Sequence, residues 1–234
     1  MNYAQYMDLF SQQLNHSYGS HYSKNYHSLL CRLCDEYGSD KGSITQEGHP
    51  YPWPAHTYAD YYSVLFDHCR FHIRNIFECG LGTNNPNLPS SMGVKGKPGA
   101  SLRVWAEYFP NAQIVGSDID RDILFNEDRI STYYVDQTDP KSISDLWGSV
   151  GVTTFDFMID DGLHTFDAGK VFFENSIHKL SSNGIYIIED VAPKDLLDFK
   201  NYFIDKKYRV DYILMRRPNI NLFSDNNLIV IRKN

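Results

Sequence analysis

Two stretches of the chain end short apolar runs in clustered carboxylates: Phe155-Asp-Phe-Met-Ile-Asp-Asp-Gly-Leu-His164 and Gly184-Ile-Tyr-Ile-Ile-Glu-Asp190. An apolar run of this length, without alternation, reads as a strand covered by helices on both faces. The carboxyl ends of such strands form the edge at which open α/β sheets bind ligands. Asp160, Asp161, His164, Glu189 and Asp190 would gather there. Four carboxylates and an imidazole are costly to keep charged in one place unless something compensates them. Oxygen donors of this kind suit a hard divalent cation, and a histidine with an ordinary pKa of about 6.5 suits proton transfer. Each has a plainer alternative: His164 could cap the helix that follows it, and Glu189-Asp190 the helix opening at Pro193.

The elements that must position these residues alternate from Phe71 onward. Strands are expected at 73–79, 113–118, 130–135, 155–159 and 185–188, with helices at 101–109, 140–147, 166–180 and 193–203. Pro140 sits at a first-turn position. Two further β-branched or aromatic runs, Tyr208–Met215 and Leu228–Arg232, have no helix between them and should pair as an antiparallel hairpin, joined by a polar loop containing Pro218, Asn219, Asn221 and Ser224. The fold predicted is α/β: a Rossmann-like, doubly wound, seven-stranded sheet, mostly parallel, with a C-terminal antiparallel hairpin. Residues 1–70 differ, being rich in Tyr, His, Ser and Asn, with helical patches at Tyr3–Leu14 and Tyr26–Tyr37. Their aromatic density is too high for disorder, so they read as an N-terminal helical cap on a domain spanning 71–234.

Bulk properties narrow the function. A chain of 234 residues with 42% hydrophobic and 22% charged residues can build one sizeable soluble core. A formal charge of −7 argues against nucleic acid or an anionic membrane as partner. No apolar stretch approaches the roughly 20 residues that span a bilayer, and no basic region precedes an apolar core as in a secretory signal. A cytoplasmic location is expected. Cys31-x-x-Cys34 has no second pair at zinc-finger spacing and falls in a helical stretch, so two thiols packed on one helix face are expected.

The first strand ends in Glu78-Cys-Gly80-Leu-Gly82, which resembles a nucleotide-binding glycine turn, where absent side chains let a ligand approach the backbone. It is not a complete G-x-G-x-x-G, because Asn85 stands at the third glycine. Asp118 ends the second strand, where an acidic residue accepts bonds from ribose hydroxyls or, alternatively, caps a helix. Asp136-Gln137 ends the third strand and could be a simple turn.

This order resembles the class I S-adenosylmethionine-dependent methyltransferases. The resemblance implies that Gly80 and Gly82 flank the methionine part of the cofactor, Asp118 takes the ribose, Asp136 and Gln137 hold the adenine, and Asp160 lies near the sulfonium. More specific is the set Asp40-Lys-Gly42, His56-x-Tyr58, Ser101-Leu-Arg-Val-Trp105, Phe109-Pro110, Asp161-Gly-Leu-His164 and Glu189-Asp190. It is similar to the magnesium-dependent sugar O-methyltransferases of macrolide tailoring, of the mycinamicin and macrocin type, over roughly Asp40 to Asp190. That likeness implies Mg2+ held by Asp161, Glu189 and Asp190, with His164 as general base. It also places Lys41 at the closure of the cofactor pocket, with Glu78 and Ser101 among the cofactor-side residues. Leu163 departs from the family's usual serine, and the loop Asn84–Gly99 is of its own kind.

Physical chemistry agrees with the resemblance. Methyl transfer to a hydroxyl needs an oxygen more reactive than a neutral alcohol. Water has a pKa of about 15.7, and a bound cation lowers such values by many units. Neighbouring strands lie about 4.8 Å apart, so two strand ends can share an ion. Successive strand residues face opposite ways, however, so Glu189 and Asp190 can both reach it only if the chain turns there. The expected acceptor is a small polar metabolite, a sugar or nucleotide-linked sugar; a homo-oligomer is left open. Competing readings are a metal-independent N- or O-methyltransferase, a nicotinamide-dependent oxidoreductase and a silent cofactor-binding scaffold.

Overall fold

The computed structural model describes residues 28–43, 51, 53–215 and 225–234. The helical patch expected at Tyr3–Leu14 and the polar loop at 218–224 lie outside them. Among the described residues, eight strands form one sheet: β1 Asn75–Cys79, β2 Gln113–Asp118, β3 Asn126–Glu127, β4 Ile130–Tyr134, β5 Phe155–Asp160, β6 Leu180–Ile188, β7 Tyr208–Leu214 and β8 Asn227–Lys233. Their spatial order is β3-β4-β2-β1-β5-β6-β8-β7. The five central strands are parallel, while β8 lies antiparallel between β6 and β7. The hairpin expected at the C-terminus is therefore present.

Two expectations need correction. The sheet has eight strands, not seven: β3 is a two-residue exposed edge piece beside β4, too short to carry a hydrophobic pattern. Strand β6 starts at Leu180, not 185, and the helix expected to reach 180 ends at Ser176, followed by a single 3-10 turn. Ser181-Ser-Asn-Gly184 has turn composition, but the neighbouring strand overrides it. A register shift between Phe155 and Phe157 of β5 accommodates the irregular stretch.

Helices cover both faces. On one lie α1 Leu29–Tyr37, α2 Tyr58–Phe66 and α3 Ala100–Tyr108. Leu30, Cys34, Tyr62, Phe66 and Trp105 from these helices share one buried cluster with Ile76, Phe157 and Ile159 of the sheet. On the other lie α4 Pro140–Ser149, α5 Phe166–Ser176 and α6 Pro193–Phe203, packed with Phe77, Phe155, Met158 and Tyr186. The alternation of Ile76 with Phe77, and of Phe157 with Met158, is the period of two that a strand imposes. Local chemistry sets helix ends: Ser28 accepts from the Cys31 N–H, Gly38 closes α1 at φ 79°, and Asp139 caps α4 just ahead of Pro140. Cys31 and Cys34 are free thiols in the first cluster, as expected from their spacing. Among the described residues no helix is long and apolar enough to cross a membrane.

Register brings the site together. Cys79 is level with Ser117 and Asp160, and Asp160 with Ile188. The turns that begin at Gly80, Ile119, Asp161 and Glu189 therefore leave the sheet along one edge. The chain winds outward from β1 to β2 and β4, then returns to β5 and β6 on the other side of β1. That reversal opens a crevice between the first turn and the later acidic ones.

Candidate active site

A cavity of about 570 Å3 occupies this crevice. Its floor begins at the glycine turn. Gly80 and Gly82 have φ 94° and 79°, and a side chain at Gly80 would collide with the Asp161 carbonyl. Only glycine allows both the left-handed backbone and the close approach of these two turns. Asp118 braces the floor: its Oδ2 accepts from Leu81 N–H at 2.7 Å and its Oδ1 from Asp120 N–H at 2.8 Å. Burial still raises its carboxyl above the ordinary range. The helix-cap alternative for Asp118 is taken by Asp120, which caps the following 3-10 turn.

The acidic wall is organised around Lys41. Its ammonium lies 2.6 Å from Asp161 Oδ2 and 3.6 Å from Glu78 Oε1, and it also pairs with Glu189 Oε2. Burial opposes the charge of Lys41, but Asp161, Glu189 and Glu78 outweigh it and push the group well above its usual value. Burial pushes Asp161 the other way, yet Lys41 and His164 hold it below the usual carboxylate range. Glu78 lies beneath the cavity, accepting from Trp105 Nε1 at 2.5 Å; burial lifts its carboxyl to about 7.

Asp161, His164 and Asp190 converge at the cavity wall, each offering one ligand atom within 4.8 Å of the others. His164 Nε2 stands 3.3 Å from Asp161 Oδ1 and 3.7 Å from Asp190 Oδ2. Burial disfavours its charge, but the two carboxylates prevail and push the imidazole up to about 10. Both His164 and Asp190 hold left-handed backbone, at φ 58° and 52°, which non-glycine residues adopt where surroundings impose it. Neither of the plainer capping roles is realised. Thr165 caps α5, and Ala192, without a side-chain bond, precedes Pro193 of α6.

Not all the predicted residues meet. Glu189 borders the cavity, but Lys41 takes its Oε2 and the Tyr62 hydroxyl donates to its Oε1, so it does not converge with Asp161 and Asp190. Asp160 is absent from the cavity lining. It faces a small adjoining space beside Thr165 and Gly169. There Gln137 Nε2 donates to its Oδ1 at 2.8 Å, Oδ2 has no hydrogen-bond partner among the described residues, and burial raises the carboxyl to about 6. Gln137 is a strut as well as a lining residue, since its Oε1 accepts from Leu163 N–H at 2.6 Å. Asp136 and Ser101 also line the cavity. The loop 84–99 closes one side: Met92 N–H bonds the Thr83 carbonyl at 2.8 Å and Gly99 N–H the Leu81 carbonyl at 2.7 Å, so that Pro89 to Met92 face inward.

Sequence reasoning missed Tyr62, which binds Glu189 from α2. The available signal was its spacing of four from Tyr58, which puts both on one helix face.

Glu78, Asp161 and Glu189 crowd one ammonium, and Asp161 and Asp190 both turn an oxygen toward His164 Nε2. Two converging carboxylates with room for water or substrate oxygens suit Mg2+, which rarely takes an all-protein cage. The residues fit such an ion.

The fold is that of the class I S-adenosylmethionine-dependent methyltransferases. In solved structures it matches the MycE methyltransferase of the mycinamycin biosynthetic pathway, in complex with Mg, SAH and mycinamycin VI. That match has a TM-score of 0.61 and 23% identity, covering 87% of this chain and 54% of that one. An SAH-bound methyltransferase of Podospora anserina matches with a TM-score of 0.51 at 12% identity, covering 99% and 95% of the two chains. Within the class, the chain resembles the sugar O-methyltransferases of macrolide tailoring. The 8-demethyl-8-alpha-L-rhamnosyl tetracenomycin-C 2'-O-methyltransferase of Streptomyces olivaceus is 30% identical over 162 residues, 69% of this chain and 37% of the relative. Demethylmacrocin O-methyltransferase of Streptomyces fradiae is 28% identical over 160 residues, 68% of this chain and 38% of the relative. The chain thus spans less than half the length of these relatives. No family model matches it.

Proposed function

We propose that this chain is an S-adenosylmethionine-dependent O-methyltransferase acting on a hydroxyl of a sugar or sugar conjugate, with a divalent ion, Mg2+ by the chemistry of its donors. The observation that carries this reading is the convergence of Asp161, His164 and Asp190 on a cavity that begins at the glycine turn. The relatives' names, each a sugar or macrolide O-methyltransferase, support the acceptor class.

In this reading the Gly80–Gly82 turn and Asp118 receive the methionine and ribose parts of the cofactor, with Asp136 and Gln137 along its adenine side and Ser101 lining the pocket beside Glu78. The sulfonium carries positive charge, which the acidic wall favours. Asp161 and Asp190 would hold the ion, and Glu189 would join them only by leaving Lys41 and Tyr62. When bound, the ion would lower the acceptor's hydroxyl pKa and offset the negative charge around His164. His164 is the group that accepts the hydroxyl proton as the oxygen–methyl bond forms and the methyl–sulfur bond breaks, leaving S-adenosylhomocysteine. The segment before residue 71 supplies Trp53, His56 and Tyr58 to the cavity and serves as an acceptor-side cap. Four free thiols accord with a cytoplasmic setting.

Calorimetric titration with S-adenosylhomocysteine and, separately, NAD tests the core of the reading. Binding of the first and not the second is expected, and binding of NAD alone would sink it. Activity toward sugar conjugates should then disappear on exhaustive chelation and return with Mg2+.

A further inference from the structure

Tyr58 and Tyr62 lie four residues apart on α2, and their hydroxyls reach the two successive carboxylates Asp190 and Glu189. Tyr62 adds to the hold of Lys41 on Glu189. Tyr58 does something different. Its hydroxyl donates to Asp190 Oδ1 at 2.5 Å and accepts the Asp190 backbone N–H at 3.2 Å. One oxygen atom thereby ties the side chain of Asp190 to its own backbone. His56 stands beside the tie, its Nδ1 3.0 Å from Asn226 Oδ1 and 3.2 Å from the same Asp190 Oδ1, with its ring stacked on Tyr58 at 5.2 Å between centroids.

Two consequences follow for Asp190. Its left-handed backbone at φ 52° needs an external partner, and Tyr58 provides one for both amide and carboxylate. With Oδ1 engaged by Tyr58 and His56, Oδ2 is the oxygen left facing His164. We infer that Tyr58 is a positioning residue that holds Asp190 in this turned conformation and aims Oδ2 into the divalent-cation site. Glu189 and Asp190, which a plain strand would send to opposite faces, are thus sorted by one helix face into a counter-ion for Lys41 and a ligand. The inference rests on the metal-dependent reading above.

Tyr58→Phe keeps the buried ring and removes only the hydroxyl, and Tyr61→Phe, whose hydroxyl meets Arg232 away from the site, is its control on the same helix. Mn2+ binding by electron paramagnetic resonance should weaken about 10–100-fold in Tyr58→Phe, the usual size of effect for a residue that orients a metal ligand, and stay near wild type in Tyr61→Phe. The Asp190 amide should exchange with solvent about tenfold faster in Tyr58→Phe without any metal, since its acceptor is gone. Unchanged Mn2+ affinity together with unchanged exchange overturns the inference. Wild-type protein that binds no Mn2+ overturns the metal reading, while the exchange rate still decides whether Tyr58 clamps Asp190. Should Tyr58→Phe fail to fold, His56→Gln removes the second group on Oδ1 and must weaken Mn2+ in the same direction, or the inference falls.

Discussion

Replacing Lys41 by Met tests whether the acidic wall depends on one buried ammonium. Lys41 is 3% exposed and faces Asp161, Glu189 and Glu78. Removing one partner of a buried ion pair typically costs about 3–5 kcal/mol, because the other charge is left uncompensated. Three carboxylates share this cation, so the upper half of that range is expected at neutral pH. For a chain of this size, roughly 2–4 °C of Tm accompanies each kcal/mol, giving a fall of about 8–20 °C. The pH dependence is the sharper test. Glu78 already has its folded pKa raised to about 7, and Glu189 is raised well above its usual value despite Lys41. A carboxyl whose folded pKa exceeds its unfolded one binds more protons when folded, so its contribution to stability declines as pH rises. Without Lys41 both groups move higher still, and the decline must continue above pH 7, by up to about 1.4 kcal/mol per pH unit for each proton retained. Thermal unfolding followed by circular dichroism from pH 6 to 9 should show Lys41→Met losing ground to wild type at every step upward. A variant whose Tm stays within about 2 °C of wild type, with a parallel pH profile, would refute the account of the wall.

Gly80→Ala forces a side chain onto the Asp161 carbonyl at positive φ, so it should lose more than about 1 kcal/mol in thermal unfolding and bind S-adenosylhomocysteine poorly; normal binding contradicts the close approach of the two turns. Asp118→Ala strips the acceptor from the Leu81 and Asp120 amides, at about 1–3 kcal/mol for each buried group left unpaired, with weaker S-adenosylhomocysteine binding measured by calorimetry. His164→Ala should lower kcat about 10²–10⁴-fold while leaving cofactor affinity intact, and near-normal kcat removes it as the base. Asp190→Asn should abolish Mn2+ binding whereas Glu189→Gln retains it; equal loss in both would make Glu189 a ligand.

Much of the frame was legible in the residues. Uninterrupted apolar runs marked the parallel strands, because burial on both faces removes alternation, and the abrupt carboxylates after Ile159 and Ile188 marked their ends. Glycine at 80 and 82 marked the first turn, since few other residues tolerate that backbone. Strand β3 and the early start of β6 were not legible, because pairing partners impose them on stretches with turn composition. The small adjoining space that takes Asp160 away from the cavity was equally hidden: consecutive aspartates look alike until the turn at Asp161 separates them.

By itself, then, the sequence determined the doubly wound sheet and the edge at which Asp118, Asp161, His164, Glu189 and Asp190 must emerge, because strand period and hydrophobic burial are local properties. Which carboxylate meets which partner was decided only by tertiary structure. Lys41 stands 120 residues from Asp161 and 148 from Glu189, and Tyr58 stands 132 from Asp190. Those contacts arise from how α1 and α2 pack over β1, β5 and β6, and no local pattern encodes the angle at which one helix face delivers two hydroxyls to two neighbouring acids.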